Sequence, residues 1–223
     1  MNKSHQAEKP ALPLALDASS KKVQVGIPGD LDWIHIETVE LPAMEGLFQA
    51  ISALIDKTGI NPCEVTELFF CEGPGSTLGL RITAAFAKTL LWENTGKISF
   101  FSYNALDLAS RMTDEPPLYL QAPFRKGWRF VRTNSQESGI GEKKVHESKE
   151  ALSLFPDSHH LPNPRDTRES IDSGKRIEYD LARTKGLKDL KGVSLPADAP
   201  VVYSPIPPTF KKWEPARSPA GKE

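Results

Sequence analysis

The stretch Glu72-Gly73-Pro74-Gly75-Ser76-Thr77-Leu78-Gly79-Leu80-Arg81 stands between the apolar run Leu68 to Cys71 and a helical pattern from Ile82 to Trp92. A strand enters it and a helix leaves it. Gly73 and Gly75 open backbone angles that a Cβ closes, and Pro74 fixes the turn between them. Ser76 or Thr77 can cap the helix by accepting a hydrogen bond from an amide of its first turn. Free amides at a helix N-terminus attract anions, and small residues let a ligand reach the backbone, so Gly73, Gly75 and Ser76 are candidate anion or nucleotide contacts. The corner lacks the Lys-Ser/Thr ending of a Walker loop. The alternative is a tight strand-to-helix connection with no ligand.

Around this corner the hydrophobic pattern spells out an α/β order. Leu12 to Asp17 reads as a buried strand, Val23, Val25 and Ile27 alternate in a second, and Trp33, Ile34 and Ile36 mark a third. A helix follows between Pro42 and Gly59, with Met44, Leu47, Phe48, Ile51, Leu54 and Ile55 on one stripe. Leu68 to Cys71 is a fourth strand. In the helix after the corner, Leu80, Ile82, Ala84, Ala85, Phe86, Ala87, Leu90, Leu91 and Trp92 cover nearly the whole circumference. Such a helix is buried on more than one side: against the sheet, and then against the preceding helix or a partner chain. A fifth strand, Ile98 to Phe101, and a short helix, Ala105 to Met112, complete this lobe. Beyond Pro116 the signals are sparser. Leu118 to Ala122 and Trp128 to Val131 suggest a hairpin, Glu150 to Phe155 a short helix and Ile177 to Leu187 another, amid many prolines. The expected organisation is a flexible leader (1–11), an N-terminal lobe (12–112), a reduced C-terminal lobe (113–210) and a flexible tail (211–223).

The net charge of −1 over 223 residues gives no strong field for steering nucleic acid or a membrane surface. Residues 1–112 hold 9 Lys/Arg and 13 Asp/Glu, so the first half is mildly acidic and the second mildly basic. Cys63 and Cys71 do not make a secreted disulfide scaffold, and no apolar run approaches the ~20 residues that span a bilayer. A cytoplasmic protein without a membrane partner is expected.

Gly73-Pro74-Gly75-Ser76 and Gly79-Leu80-Arg81 resemble the G-P-G-S-F-T-G-L-R motif of the TsaB (YeaZ) family, whose catalytic relative is TsaD. Leu14 to Ser19 is similar to the family's opening strand, and the helix from Met44 to its first helix. The likeness runs from about Leu12 to Arg111. Thr77-Leu78 in place of F-T, Ala18 in place of Thr, and Gln121-Ala122 in place of Asp-Ala mark a divergent member. The resemblance implies an actin-like, ribonuclease-H-like (ASKHA) lobe with a mixed sheet, followed by a reduced second lobe. It also implies a non-catalytic subunit that binds a TsaD-like enzyme and supports threonylcarbamoylation of the adenosine next to the tRNA anticodon. In the family the two helices after the third and fourth strands meet TsaD. Here they supply Met44, Leu47, Phe48 and Ile51, then Ile82, Ala85, Phe86 and Leu90. A TsaE-like ATPase is a further partner, a homodimer through the same face is expected for the chain alone, and tRNA contact is indirect or weak. No cofactor is required, although ATP or ADP could bind at the complex.

Asp17 ends the first strand, where actin-like ATPases orient metal-bound phosphate, and with Ser19 and Arg81 it completes the candidate anion or nucleotide contacts. No Gly follows Asp17, so the structural alternative is an Asp that accepts hydrogen bonds from its own turn. For Arg81 the plainer role is an ion pair with Glu72 or another carboxylate. Phe124 to Arg132 interleaves four cations with aromatics, a composition suited to RNA, yet simple strand alternation also produces it. His5, His35, His146, His159 and His160 form no metal-binding pair, and His159-His160 reads as an exposed loop. No catalytic or metal residue is assigned. The enzymatic alternatives are an actin-like nucleotide hydrolase or a glycoprotease-like enzyme, and a third possibility is a degenerate homologue outside the complex.

Overall fold

In a computed structural model, which describes residues 11–94, 97–134, 139–162 and 175–202, the strands at 13–17 and 67–73 in the middle of the first lobe are buried on both faces. They therefore need a layer on each side. β1 (Pro13–Asp17), β2 (Val23–Pro28) and β3 (Trp33–Val39) form an antiparallel meander. After α1 (Ala43–Thr58), β4 (Glu67–Gly73) runs parallel beside β1, and after α2 (Thr77–Glu93), β5 (Ser99–Asn104) runs parallel beside β4. Leu14, Leu16, Leu68, Phe70 and Phe100 pack under α1 and α2. Their neighbours Ala15, Phe69, Cys71 and Tyr103 point the other way, toward α3 (Ala105–Ala109) and α5 (Gly186–Val193). α1 ends where Gly59 takes the left-handed conformation, φ 69°, and its N–H donates to the Ile55 carbonyl. α2 starts under Ser76, whose hydroxyl accepts the Gly79 N–H at 3.3 Å.

The second lobe is a partial copy of the first. β6 (Tyr119–Arg125), β7 (Trp128–Thr133) and β8 (Glu142–Glu147) form a meander, α4 (Ser148–Leu154) crosses, and β9 (His159–His160) returns parallel beside β6. Its order, β8-β7-β6-β9, repeats β3-β2-β1-β4 of the larger sheet. The protein is an α/β chain with an actin-like, ribonuclease-H-like lobe and a reduced second lobe, as expected.

Four features differ from the sequence reading. β8 is a strand despite its polar sequence, because β7 pairs with it along all six residues. His159-His160 is a short strand rather than an exposed loop, and His160 is buried. The helix expected over 177–187 is an extended segment with a single 3-10 turn (Leu181–Arg183), and α5 begins only at Gly186. Finally, α5 packs on α3 and β5, and β10 (Ser194–Ala197) pairs with β5 as the edge of the first sheet. The span 113–210 is thus not one lobe in space, since its last described elements return to the first. The leader and tail lie outside the described residues, apart from residue 11.

Candidate functional site

The glycine-rich corner is built around the turn that follows β1. The Ser76 N–H donates to the Ser19 carbonyl at 2.7 Å. A Cβ on Gly75 would come within 2.3 Å of that same oxygen, and one on Gly79 within 1.9 Å of the Ala18 carbonyl. Gly73, at φ 119°, turns the chain out of β4 in a conformation that favours glycine. These glycines let two backbones touch. The Ser76 amide and the space beside Gly75 that an anion would use are taken by Ser19.

Asp17 faces the lower layer, with 1% of its surface exposed. Its Oδ1 accepts the Ser19 N–H at 2.7 Å, and its Oδ2 accepts the hydroxyls of Tyr103 at 2.8 Å and Tyr179 at 2.7 Å. Burial, and then the Asp17 charge, push both phenols and the Cys71 thiol well above their usual ranges. The Cys71 thiol is therefore held protonated, not poised as a nucleophile. Between this turn and the second lobe, Ser19, Pro74, Gly75, Pro123, Leu161 and Tyr179 enclose only about 30 Å³. That is on the order of one water molecule. In this arrangement the Asp17 carboxylate faces the chain's own Ser19 amide and two tyrosine hydroxyls.

A larger cleft of about 410 Å³ opens on the other side of the corner, walled by Glu72, Thr77, Leu80, Arg81, Phe124 and Phe130. Burial raises the Glu72 carboxyl above its ordinary range. Arg81 is exposed at this rim and is not ion-paired with Glu72. Of the four cations between Phe124 and Arg132, two are internal: Arg129 lies 3.3 Å from the His160 Nδ1, and Arg132 donates to Asp107 at 2.7 Å. Only Arg125 and Lys126, at the hairpin tip, reach solvent.

The helix residues divide. Leu47, Ile51 and Leu90 are buried in the chain's own core and cannot touch a partner. Met44 and Phe48, each 58% exposed, and Ala85 point outward, while Ile82 and Phe86 are half-buried. Phe48 and Phe86 meet edge to face with ring centroids 6.2 Å apart, so α1 covers part of α2. The cover is incomplete. Leu78 (59% exposed) and Trp92 (78%) continue the α2 stripe through Ile82 and Ala85 over four turns. Sequence reasoning left these two out of the face, although their helical spacing from Ile82 and Ala85 places them on it.

YeaZ from Pseudomonas aeruginosa superposes with a TM-score of 0.55 at 16% identity, covering 82% of this chain and 89% of that one. The chain has the YeaZ fold. A structure described as an uncharacterised protein with similarity to peptidase YeaZ from Pseudomonas aeruginosa gives 0.49 at 20% identity, covering 62% of this chain and 67% of that one. Residues 43–102 match the family model of TsaD, tRNA N6-adenosine threonylcarbamoyltransferase. No curated protein matches the sequence. The segment that matches the TsaD model runs from the start of α1 into β5 and so contains the whole exposed two-helix face. Among the described residues no group of three or more His, Cys, Asp and Glu is placed to hold a metal, and no helix is long and apolar enough to cross a membrane. Tyr103, Tyr179 and Asp107 went unrecognised in sequence because their partners lie tens of residues away.

Proposed function

We propose that the chain is a TsaB-like accessory subunit. It binds a TsaD-like enzyme through α1 and α2 and supports threonylcarbamoylation of the adenosine next to the tRNA anticodon, while the partner carries the chemistry. The observation that carries this reading is the apolar face formed by Met44, Phe48, Leu78, Ala85 and Trp92, left open to solvent inside the stretch that matches the TsaD model. Covering a large apolar side chain contributes roughly 1.5–3 kcal/mol. A face of this kind is a strong reason to associate. A nucleotide-hydrolase reading is weaker, because the Asp17 end of the interlobe space is filled by the chain's own tyrosine. In this reading tRNA contact is indirect, a TsaE-like ATPase joins through the complex, and the chain alone pairs with a second copy through the same face.

Ala85→Glu tests it. The side chain at 85 lies in solvent, so the monomer keeps its fold and melting temperature, whereas an unpaired carboxylate pressed into an apolar contact costs several kcal/mol. Titration calorimetry against the TsaD-like protein of the same genome is expected to show at least a 100-fold loss of affinity. Light scattering is expected to show the dimer of the isolated chain reverting to monomer. Wild-type affinity in the variant would overturn the interface. Phe86→Glu is a poorer probe, because Phe86 is half-buried and packs on Phe48.

A further inference from the structure

The extended segment 175–184 starts in the second lobe and ends on the first. The Ile177 N–H donates to the His160 carbonyl, and Arg176 bridges to His160, so its first residues continue the sheet beyond β9. Its middle then crosses to the opening strands of the larger lobe. The Tyr179 hydroxyl reaches Asp17 Oδ2 at 2.7 Å. Asp180 accepts Gln24 Nε2 at 2.7 Å and Lys22 Nζ at 2.8 Å, and the Gln24 side-chain oxygen accepts the Leu181 N–H at 2.9 Å. At the far end the Trp33 indole N–H donates to the Thr184 hydroxyl at 3.3 Å. These contacts are polar, most of them are buried or half-buried, and they join side chains from β1, β2 and β3 to one short stretch.

We propose that residues 175–184 form an internal strap that holds the two lobes closed, with Tyr179 occupying the place beside Asp17 where an actin-like cleft would take a ligand. The Asp17 carboxylate is saturated by the strap and by Tyr103, and the space that remains is about the size of one water. Closure is then a property of the chain rather than of a bound molecule. It is also reversible in a defined way. Tyr103 belongs to β5 and stays with the first lobe, whereas Tyr179, Asp180 and Leu181 leave together, because side-chain hydrogen bonds rather than a strand ladder tie them to β1 and β2 and the buried Tyr179 and Leu181 side chains withdraw from the shared core in one step. Such a unit opens before the strands and helices around it do. This inference does not depend on the partner-binding reading, since it concerns the opposite side of the sheet from α1 and α2.

Native-state hydrogen exchange on the full-length wild-type chain tests the strap without any substitution. The amides of Ser19, Ser76, Leu181 and Ala182 are expected to exchange through one shared opening, with the same protection factor and the same shallow dependence on denaturant. The amides of β4 and α2 should exchange at least 100-fold more slowly. If Leu181 and Ser76 exchange only with global unfolding, or Leu181 exchanges independently of Ser19, the strap is not a unit and the proposal fails. The double variant Tyr179→Ala/Asp180→Ala adds a second readout. Exchange at Ser19 and Ser76 should rise at least tenfold while α2 is unchanged, and small-angle scattering should show a larger radius of gyration. Unchanged protection at Ser19 and Ser76 in the folded variant would overturn the proposal. Should that variant not fold, Gln24→Ala/Lys22→Ala removes the anchor from the other side, with the same expected and the same overturning results.

Discussion

Gly79 and Gly127 separate two reasons for a glycine that a sequence cannot tell apart. Gly127 sits at the β6–β7 hairpin tip at φ 81°, and a Cβ there would meet nothing within 4 Å. Gly79 has an ordinary helical backbone, but a Cβ on it would lie 1.9 Å from the Ala18 carbonyl. Gly127→Ala should therefore cost only the left-handed backbone penalty, about 1 kcal/mol. Gly79→Ala must push the β1–β2 turn away from α2, which breaks the Ser76–Ser19 hydrogen bond as well, and should cost about 3 kcal/mol. Urea unfolding of the two variants checks the order. Equal losses would mean that the corner gives way easily and that the close approach of the two backbones is not what requires glycine.

At the scale of elements, the first lobe was legible because its strands alternate, its helices carry apolar stripes, and Pro42, Gly59 and the corner punctuate them. The second lobe was not, and the cause is physical. β8 has the sequence Glu-Lys-Lys-Val-His-Glu and becomes a strand through pairing with β7, and β10 tolerates Pro196 because it is a sheet edge. β9 is only two residues long, too short to leave a pattern. Of the candidate site, Asp17 and the corner glycines could be singled out from sequence. Tyr103, which lies 86 residues from Asp17, and Tyr179, which lies 162, could not. β9 also carries a titration. Burial first, and then the Arg129 and Lys175 charges, lower the His160 pKa to about 4 from 6.5. The unfolded chain takes up a proton between these values and the folded chain does not, so stability should fall as pH drops from about 6.5 to 4. One proton limits the slope to about 1.4 kcal/mol per pH unit. Urea midpoints measured across that window should flatten in His160→Gln, and an unchanged slope in that variant would assign the loss to other groups.

The lobes of the whole molecule share one core. Ala15, Phe69 and Tyr103 from the first sheet, Leu106 and Leu108 from α3, and Leu120 and Phe130 from the second sheet belong to a single buried cluster. Asp107 adds a polar pin across the same boundary. It lies on α3, is buried, and accepts Arg132 Nε at 2.7 Å, the Gly141 N–H at 2.8 Å and Lys143 Nζ at 2.5 Å. Shared apolar packing makes the lobes unfold together, and the pin makes that joint state depend on one carboxylate. In chains that keep a single tryptophan, either Trp33 in the first lobe or Trp128 in the second, intrinsic fluorescence should report one coincident transition. Asp107→Ala strands the Arg132 guanidinium in a dry interior, and removing one partner of a buried pair costs about 3–5 kcal/mol. Asp107→Asn keeps a hydrogen-bond acceptor at the same place and should cost less. If the pin acts between lobes, the alanine variant loses the second-lobe signal at lower urea than the first-lobe signal, so the two probes separate. A loss of the same size with coincident curves would leave Asp107 as a stabilising contact while the apolar cluster alone couples the lobes.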